Sequence, residues 1–112
     1  PFIVWGTGEE IRDILYVQDL VEACLILLEK KANCEPINIG SGEEVKIKEL
    51  VSKILEITEN TKIRVIYDAN KPTTIPIRKV DISKAKKMGF KKKVSLSDGL
   101  KETIDWYKKI QI

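Results

Sequence analysis

The chain has 112 residues, 43% of them hydrophobic and 33% charged, with a net charge of +3 and no histidine. That length fits one small domain, residues 1 to 112, able to bury about 60–70% of its unfolded surface, and the lack of histidine removes Ser-His and Cys-His nucleophilic catalysis and most zinc sites. No apolar run is long enough to span a bilayer and no signal-type segment is present, so the expected compartment is the cytoplasm, without a membrane partner.

Phe2 to Trp5 and Ile14 to Val17 read as short extended segments, because β-branched and aromatic residues are bounded there by Gly6, Gly8 and Asp19. Pro1 opens directly in the first of these runs without an initiator methionine, which points to a start inside a longer gene product. Asp19 is the expected cap of a first helix. From Leu20 to Lys30 nearly every position is apolar except Glu22 and Glu29, so this helix is expected to be buried on most of its circumference. Cys24 falls in that apolar run and Cys34 in a polar loop, which predicts one buried thiol and one exposed one rather than a disulfide.

Ile37 to Ile39 reads as a strand. Ile47, Leu50, Val51, Ile54 and Leu55 then recur at helical spacing and predict a second helix with one apolar face. Lys62 to Tyr67 is a further strand, followed by an irregular stretch from Asp68 to Ile77 in which Pro72 and Pro76 forbid helix, a natural binding loop. Asp81 is placed to cap a short helix with Ile82, Ala85 and Met88 turned inward and Gly89 after it. Ser95 with Asp98 three residues on resembles a capping box, and Leu96, Leu100, Ile104 and Tyr107 form the inner stripe of a last helix.

Charge is unevenly spread. Residues 71 to 93 hold nine Lys or Arg against the single acid Asp81, whereas residues 1 to 35 hold seven acids against three bases. The basic block is either a solvated surface or an anion-attracting face. Nucleic acid is not the expected partner, because Phe90 is the only aromatic residue in the block and base stacking needs several.

Gly40-Ser41-Gly42 follows a predicted strand and precedes a helix, as a dinucleotide-binding turn would. The third glycine of that fingerprint is Val45, and Glu43 with Glu44 would set two like charges against a pyrophosphate. Gly6-Thr7-Gly8 lacks both a following helix and a third glycine. Neither is expected to hold a dinucleotide, and no cofactor site is expected in this chain.

Arg12 is the leading candidate for binding, since a planar guanidinium grips two phosphate oxygens where a lysine acts as a point charge. The competing reading is an ion pair with Asp13, Glu9 or Glu10.

The segment Val4-Trp5-Gly6-Thr7-Gly8 through Arg12-Asp13-Ile14-Leu15-Tyr16-Val17-Gln18-Asp19-Leu20 is followed in order by three further pieces. They are Pro36-Ile37-Asn38-Ile39-Gly40-Ser41-Gly42, Lys71-Pro72 through Arg78-Lys79-Val80-Asp81-Ile82-Ser83, and Ser95-Leu96-Ser97-Asp98-Gly99-Leu100. Together they resemble the C-terminal, substrate-binding part of the NAD-dependent epimerase/dehydratase family of extended short-chain dehydrogenases, above all its fucose-synthase-like nucleotide-sugar enzymes. The resemblance covers nearly all of this chain and about the last third of such an enzyme. It implies an α/β fold with about three short strands and four helices, without the Gly-rich Rossmann half.

The same resemblance implies that Arg12 holds the pyrophosphate of a nucleotide diphosphate sugar, with Trp5 and Gly6 beside the ligand and Lys71 and Arg78 as further anion contacts. Core packing is the competing reading for Trp5, and a plain loop lysine that for Lys71. The fucose-synthase-like pattern has an acid and a glycine after Lys-Pro, where this chain has Thr73-Thr74. Tyr67 and Lys71 imitate the superfamily's catalytic Tyr-x-x-x-Lys, but that pair works on a helix, and Tyr67 closes a strand with Pro72 at hand. No catalytic residue and no metal are therefore expected. NAD or NADP is implied for the full-length enzyme only, together with an N-terminal Rossmann domain and a homodimer as partners. The alternative is a stand-alone, non-catalytic binding or assembly module of the same architecture.

Overall fold

A computed structural model of the protein describes residues 1–30 and 33–110. Strand β1 (Phe2–Trp5) lies parallel to β4 (Val65–Asp68), with Phe2 opposite Val65 and Trp5 opposite Asp68. A second sheet sets β2 (Ile11–Arg12) between an antiparallel β3 (Val45–Lys46) and a parallel β5 (Ile77–Arg78). The helices are α1 (Val17–Glu29), α2 (Ile47–Ile57), α3 (Ser83–Lys87) and α4 (Leu96–Ile110). The architecture is α/β with the four helices expected and five strands among the described residues.

Helices α2 and α4 form where their periodicity places them. Val51 is buried and Leu50, Ile54 and Leu55 half-buried on one face of α2, and Glu49 Oε2 accepts from the Lys46 amide at 3.4 Å as the acid of a capping box does. At the start of α4, Ser95 Oγ accepts from the Asp98 amide at 3.1 Å, and Gly99 lets Tyr16 lie against the helix, where a Cβ would stand 3.1 Å from that of Tyr16. Leu96, Leu100 and Ile104 are half-buried, but Tyr107 at the end of the stripe is exposed. Asp81 was expected to cap α3, but the N-cap is Ile82 without a side-chain bond; Asp81 lies one residue earlier and accepts from the Ser83 amide at 2.9 Å, and Gly89 beyond the helix has φ 102°, the left-handed turn that glycine permits.

Several expectations need correction. Ile14 to Val17 is not a strand: the ladder stops at Arg12, and Val17 is already in α1. Ile37 to Ile39 is not a strand either, because no described segment supplies it with a ladder; Ile37 and Ile39 pack instead on the small core of Ala23, Ala85 and Phe90. Asp19 does not cap α1, whose N-cap is Tyr16 with no side-chain bond. It is 1% exposed, and its carboxylate accepts the amides of Lys93 at 3.0 Å and Val94 at 3.1 Å, tying α1 to the segment ahead of α4. The strands β3 and β5 had no sequence signal, and β4 lies three residues beyond the predicted start.

The largest departure is α1. Among its described residues only Asp19 and Ala23 are buried, while Val17, Leu20, Val21, Leu25 and Leu28 are exposed, Leu28 by 75%. Cys24, expected in the interior, is an exposed free thiol like Cys34. An accessible surface of 8412 Å² exceeds the roughly 6300 Å² that a compact monomer of this mass presents. The radius of gyration of 16.5 Å likewise exceeds the value of about 13 Å for a compact chain of this length.

Candidate functional site

The five candidate residues border the segment from β4 to β5 in two groups, Trp5, Gly6 and Lys71 at Asp68 and Arg12 beside Arg78. Trp5 ends β1 opposite Asp68, and its side chain is 61% exposed, so it is not a core residue. The Asp68 carbonyl accepts from the Gly6 amide at 3.0 Å and from the Lys71 amide at 3.2 Å. Gly6 is required by its geometry: φ is +98°, and a Cβ there would stand 2.8 Å from Thr73 Cγ2 and against the Glu10 carboxylate. Arg12 and Arg78 are in-register neighbours on parallel strands, which places two like charges side by side with no anion supplied by the described residues.

Arg12 makes no ion pair with Asp13, Glu9 or Glu10. Its Nη1 donates to the Ile11 carbonyl at 2.7 Å and the Ile75 carbonyl at 3.0 Å, and its Nη2 to Thr74 Oγ1 at 2.5 Å. The nearby acids are engaged elsewhere. Asp13 accepts the amides of Ser41 at 2.7 Å and Gly42 at 3.1 Å. Glu9 pairs with Lys46 at 2.7 Å and with Lys48. Glu10 Oε1 accepts from the Thr7 amide at 3.0 Å and the Thr7 hydroxyl at 3.3 Å; chiefly the Thr7 amide, then the Glu10 amide, hold its carboxyl below the usual range. Its buried Oε2 has no hydrogen-bond partner among the described residues. Lys71 and Arg78 are exposed and make no ion pair among the described residues.

Much of the basic block is neutralised from elsewhere in the chain. Lys79 pairs with Glu44 at 2.5 Å, Lys92 with Glu43 at 2.5 Å, Lys93 with Glu22 at 2.6 Å and Lys84 with Glu35 at 3.5 Å. These four lysines therefore belong to a solvated, ion-paired surface, whereas Lys71 and Arg78, like Lys86, Lys87 and Lys91, make no ion pair among the described residues.

The Gly40–Gly42 turn does not fit a dinucleotide. The Ser41 and Gly42 amides that would receive a pyrophosphate already bind Asp13, a Cβ at Gly40 would meet Asp13 Oδ2 at 2.6 Å, and α2 begins only at Ile47. Tyr67 lies on β4, its ring against Gly8, while Lys71 follows a turn, so those two do not form a helical Tyr-Lys pair. A groove of about 620 Å³ runs between Ile14–Val17 and α4 and contains none of the five candidates. The roles of Asp13 and Thr74 were missed by sequence reasoning, because their partners lie 28 and 62 residues away; that of Glu10 was missed although its partner Thr7 is only three residues away.

Comparison with known proteins supplies the context. The family model for GDP-mannose 4,6-dehydratase matches residues 1–103. GDP-L-fucose synthase 1 of Arabidopsis thaliana is 43% identical over 107 residues, covering 96% of this chain and 33% of its own length; GDP-L-fucose synthase of Escherichia coli is 32% identical over 94% of this chain and 35% of its own. A UDP-glucuronic acid 4-epimerase variant from Bacillus cereus, solved in complex with UDP-4-deoxy-4-fluoro-glucuronic acid and NAD, superposes with a TM-score of 0.85 at 31% identity, over 98% of this chain and 36% of that one. The chain thus spans about a third of the length of the proteins it matches. It belongs to the GDP-mannose 4,6-dehydratase family, among the NAD-dependent epimerases and dehydratases, and corresponds to their C-terminal portion.

Proposed function

We infer that this chain is the nucleotide-sugar-binding portion of an NAD(P)-dependent nucleotide-sugar epimerase, dehydratase or reductase, and that it binds without catalysing. The observation that carries the reading is the Arg12–Arg78 pair on adjoining strands, together with the exposed Trp5 and Lys71, both tied to Asp68. Three of the five N–H groups of Arg12 are taken by Ile11, Ile75 and Thr74, which leaves Nε–H and one hydrogen of Nη2, two donors on one edge of the planar group. A diphosphate on that edge gains charge-assisted hydrogen bonds, and Trp5 offers a face to a sugar or a base.

The acids and bases of hydride exchange at a sugar carbon lie outside this chain in this reading. Binding of the remote diphosphate would orient the sugar over a nicotinamide held by an N-terminal Rossmann domain. The test is calorimetric titration of the intact gene product with GDP and UDP. Arg12→Ala is expected to weaken binding by roughly 1.5–3 kcal/mol, the range for a hydrogen bond to a charged group, and Arg12→Lys to recover only part. Lys71→Ala is expected to do less, since a loop ammonium is well hydrated and Arg78 is near. Unchanged affinity in Arg12→Ala, in protein shown by thermal melting to be folded, would make Arg12 a loop-anchoring residue and reject this site.

A further inference from the structure

Every residue from Lys71 to Val80 is exposed, yet the loop is fixed to β2 at three points, two of them on Arg12. The Pro76 carbonyl accepts from the Ile11 amide at 2.8 Å, the Ile75 carbonyl from Arg12 Nη1 at 3.0 Å, and Thr74 Oγ1 from Arg12 Nη2 at 2.5 Å. Of these, only Thr74 contributes a side chain. A hydroxyl carries one proton and two lone pairs, so accepting from the guanidinium leaves its proton free for another acceptor. Thr74 donates to none of the described residues. A hydroxyl that accepts from a cation is also polarised toward donating, because linked hydrogen bonds strengthen one another.

We propose that Thr74 is a phosphate-binding and positioning residue of this site. One lone pair holds Nη2 so that the free Nε–H and Nη2–H edge of Arg12 keeps its direction, and the Thr74 proton is given to an oxygen of the same phosphate. Ile75 fixes the other terminal nitrogen through its carbonyl, so the guanidinium is held at its end and open at its side. The ligand class is a diphosphate ester. The inference deepens the nucleotide-diphosphate reading given above and rests on it.

Thr74→Val keeps the branched shape and removes both hydrogen bonds, and the exposed position leaves folding undisturbed. Titration of the full chain with inorganic pyrophosphate and with GDP is expected to show affinity lower by roughly threefold to tenfold, the worth of about one hydrogen bond. Thr74→Ser, which keeps the hydroxyl, is expected to restore it. The Arg12 Nε–H resonance, followed by nitrogen-edited NMR, is expected to shift on pyrophosphate addition in the parent and Thr74→Ser at similar concentrations, and in Thr74→Val only at higher ones. If Thr74→Val binds pyrophosphate like the parent while Arg12→Ala does not, the role given to Thr74 is wrong and the Arg12 site stands. If Thr74→Ser fails to restore affinity, the hydroxyl is not the active group and the proposal falls. If pyrophosphate binding is indifferent to Arg12 as well, the site reading falls and Thr74 with it.

Discussion

Single side chains in this chain act across loops more than along elements, and Glu9 shows the consequence for acid stability. Hydrogen bonds from Lys46, then Lys48, hold its carboxyl down to about 2 from an ordinary 4.5. Because the folded value is the lower one, the stabilisation is fully present above the unfolded pKa of about 4.3 and is lost as the pH falls toward 2. The pair is half exposed, so water and salt screen it and the effect is modest. Thermal melting at low ionic strength is expected to show the parent losing stability between about pH 4.5 and pH 2, with Glu9→Gln losing less over that window. Identical acid limbs for the two proteins would show that Glu9 contributes nothing. Asp81 shifts in the same direction, through the Ser83 hydroxyl and then the Ser83 amide, so Glu9→Gln removes only part of the slope. Thr73-Thr74 is the residue-scale counterpart at the site: the departure from an acid and a glycine is visible in the sequence, but the hydrogen bond from Arg12 to the second threonine is not, since 62 residues separate them.

Among the elements, those with their own periodicity were legible and those made by contact were not. Helices α2 and α4 declare themselves because one face of each is apolar and Ser95 starts the second. The strands β2, β3 and β5 are two residues each and exist only because three distant segments meet, so no local pattern marks them. Arg12 and Arg78 were both legible as candidates, yet their adjacency is a property of that ladder. Asp19 was legible as a polar residue at a helix start and misread in role, because the amides it serves lie 74 and 75 residues away. Its function can be measured. Asp19→Ala leaves the part-buried Lys93 and Val94 amides without their acceptor, at a cost of roughly 1–3 kcal/mol. Asp19→Asn is expected to recover part, since the amide keeps one acceptor and turns an N–H toward the other donor. Urea unfolding checks both, and a parent-like midpoint for Asp19→Ala would show that these bonds contribute no net stability.

At the scale of the whole molecule the surface is the informative quantity, since it exceeds the compact expectation by roughly 2100 Å². Apolar groups account for much of what is uncovered. Val17, Val21, Leu25 and Leu28 recur at helical spacing along the outer stripe of α1, and Phe2, Ile3 and Trp5 are exposed on a parallel strand pair of a kind normally covered on both faces. The groove between Ile14–Val17 and α4 adds a further apolar face. Surface of this extent is comparable to a standard protein interface and is rarely left in water. The isolated 112-residue chain is accordingly expected to self-associate, with Leu25→Glu and Leu28→Lys together shifting it toward monomer without lowering its melting temperature, because both side chains already face solvent. Sedimentation velocity over a concentration series reads the association of parent and variant, thermal melting reads the variant's stability, and binding of an apolar-surface dye reads the uncovered surface. A strictly monomeric parent with no dye-accessible surface would mean that these faces are covered within the chain, and the expected self-association would be ruled out.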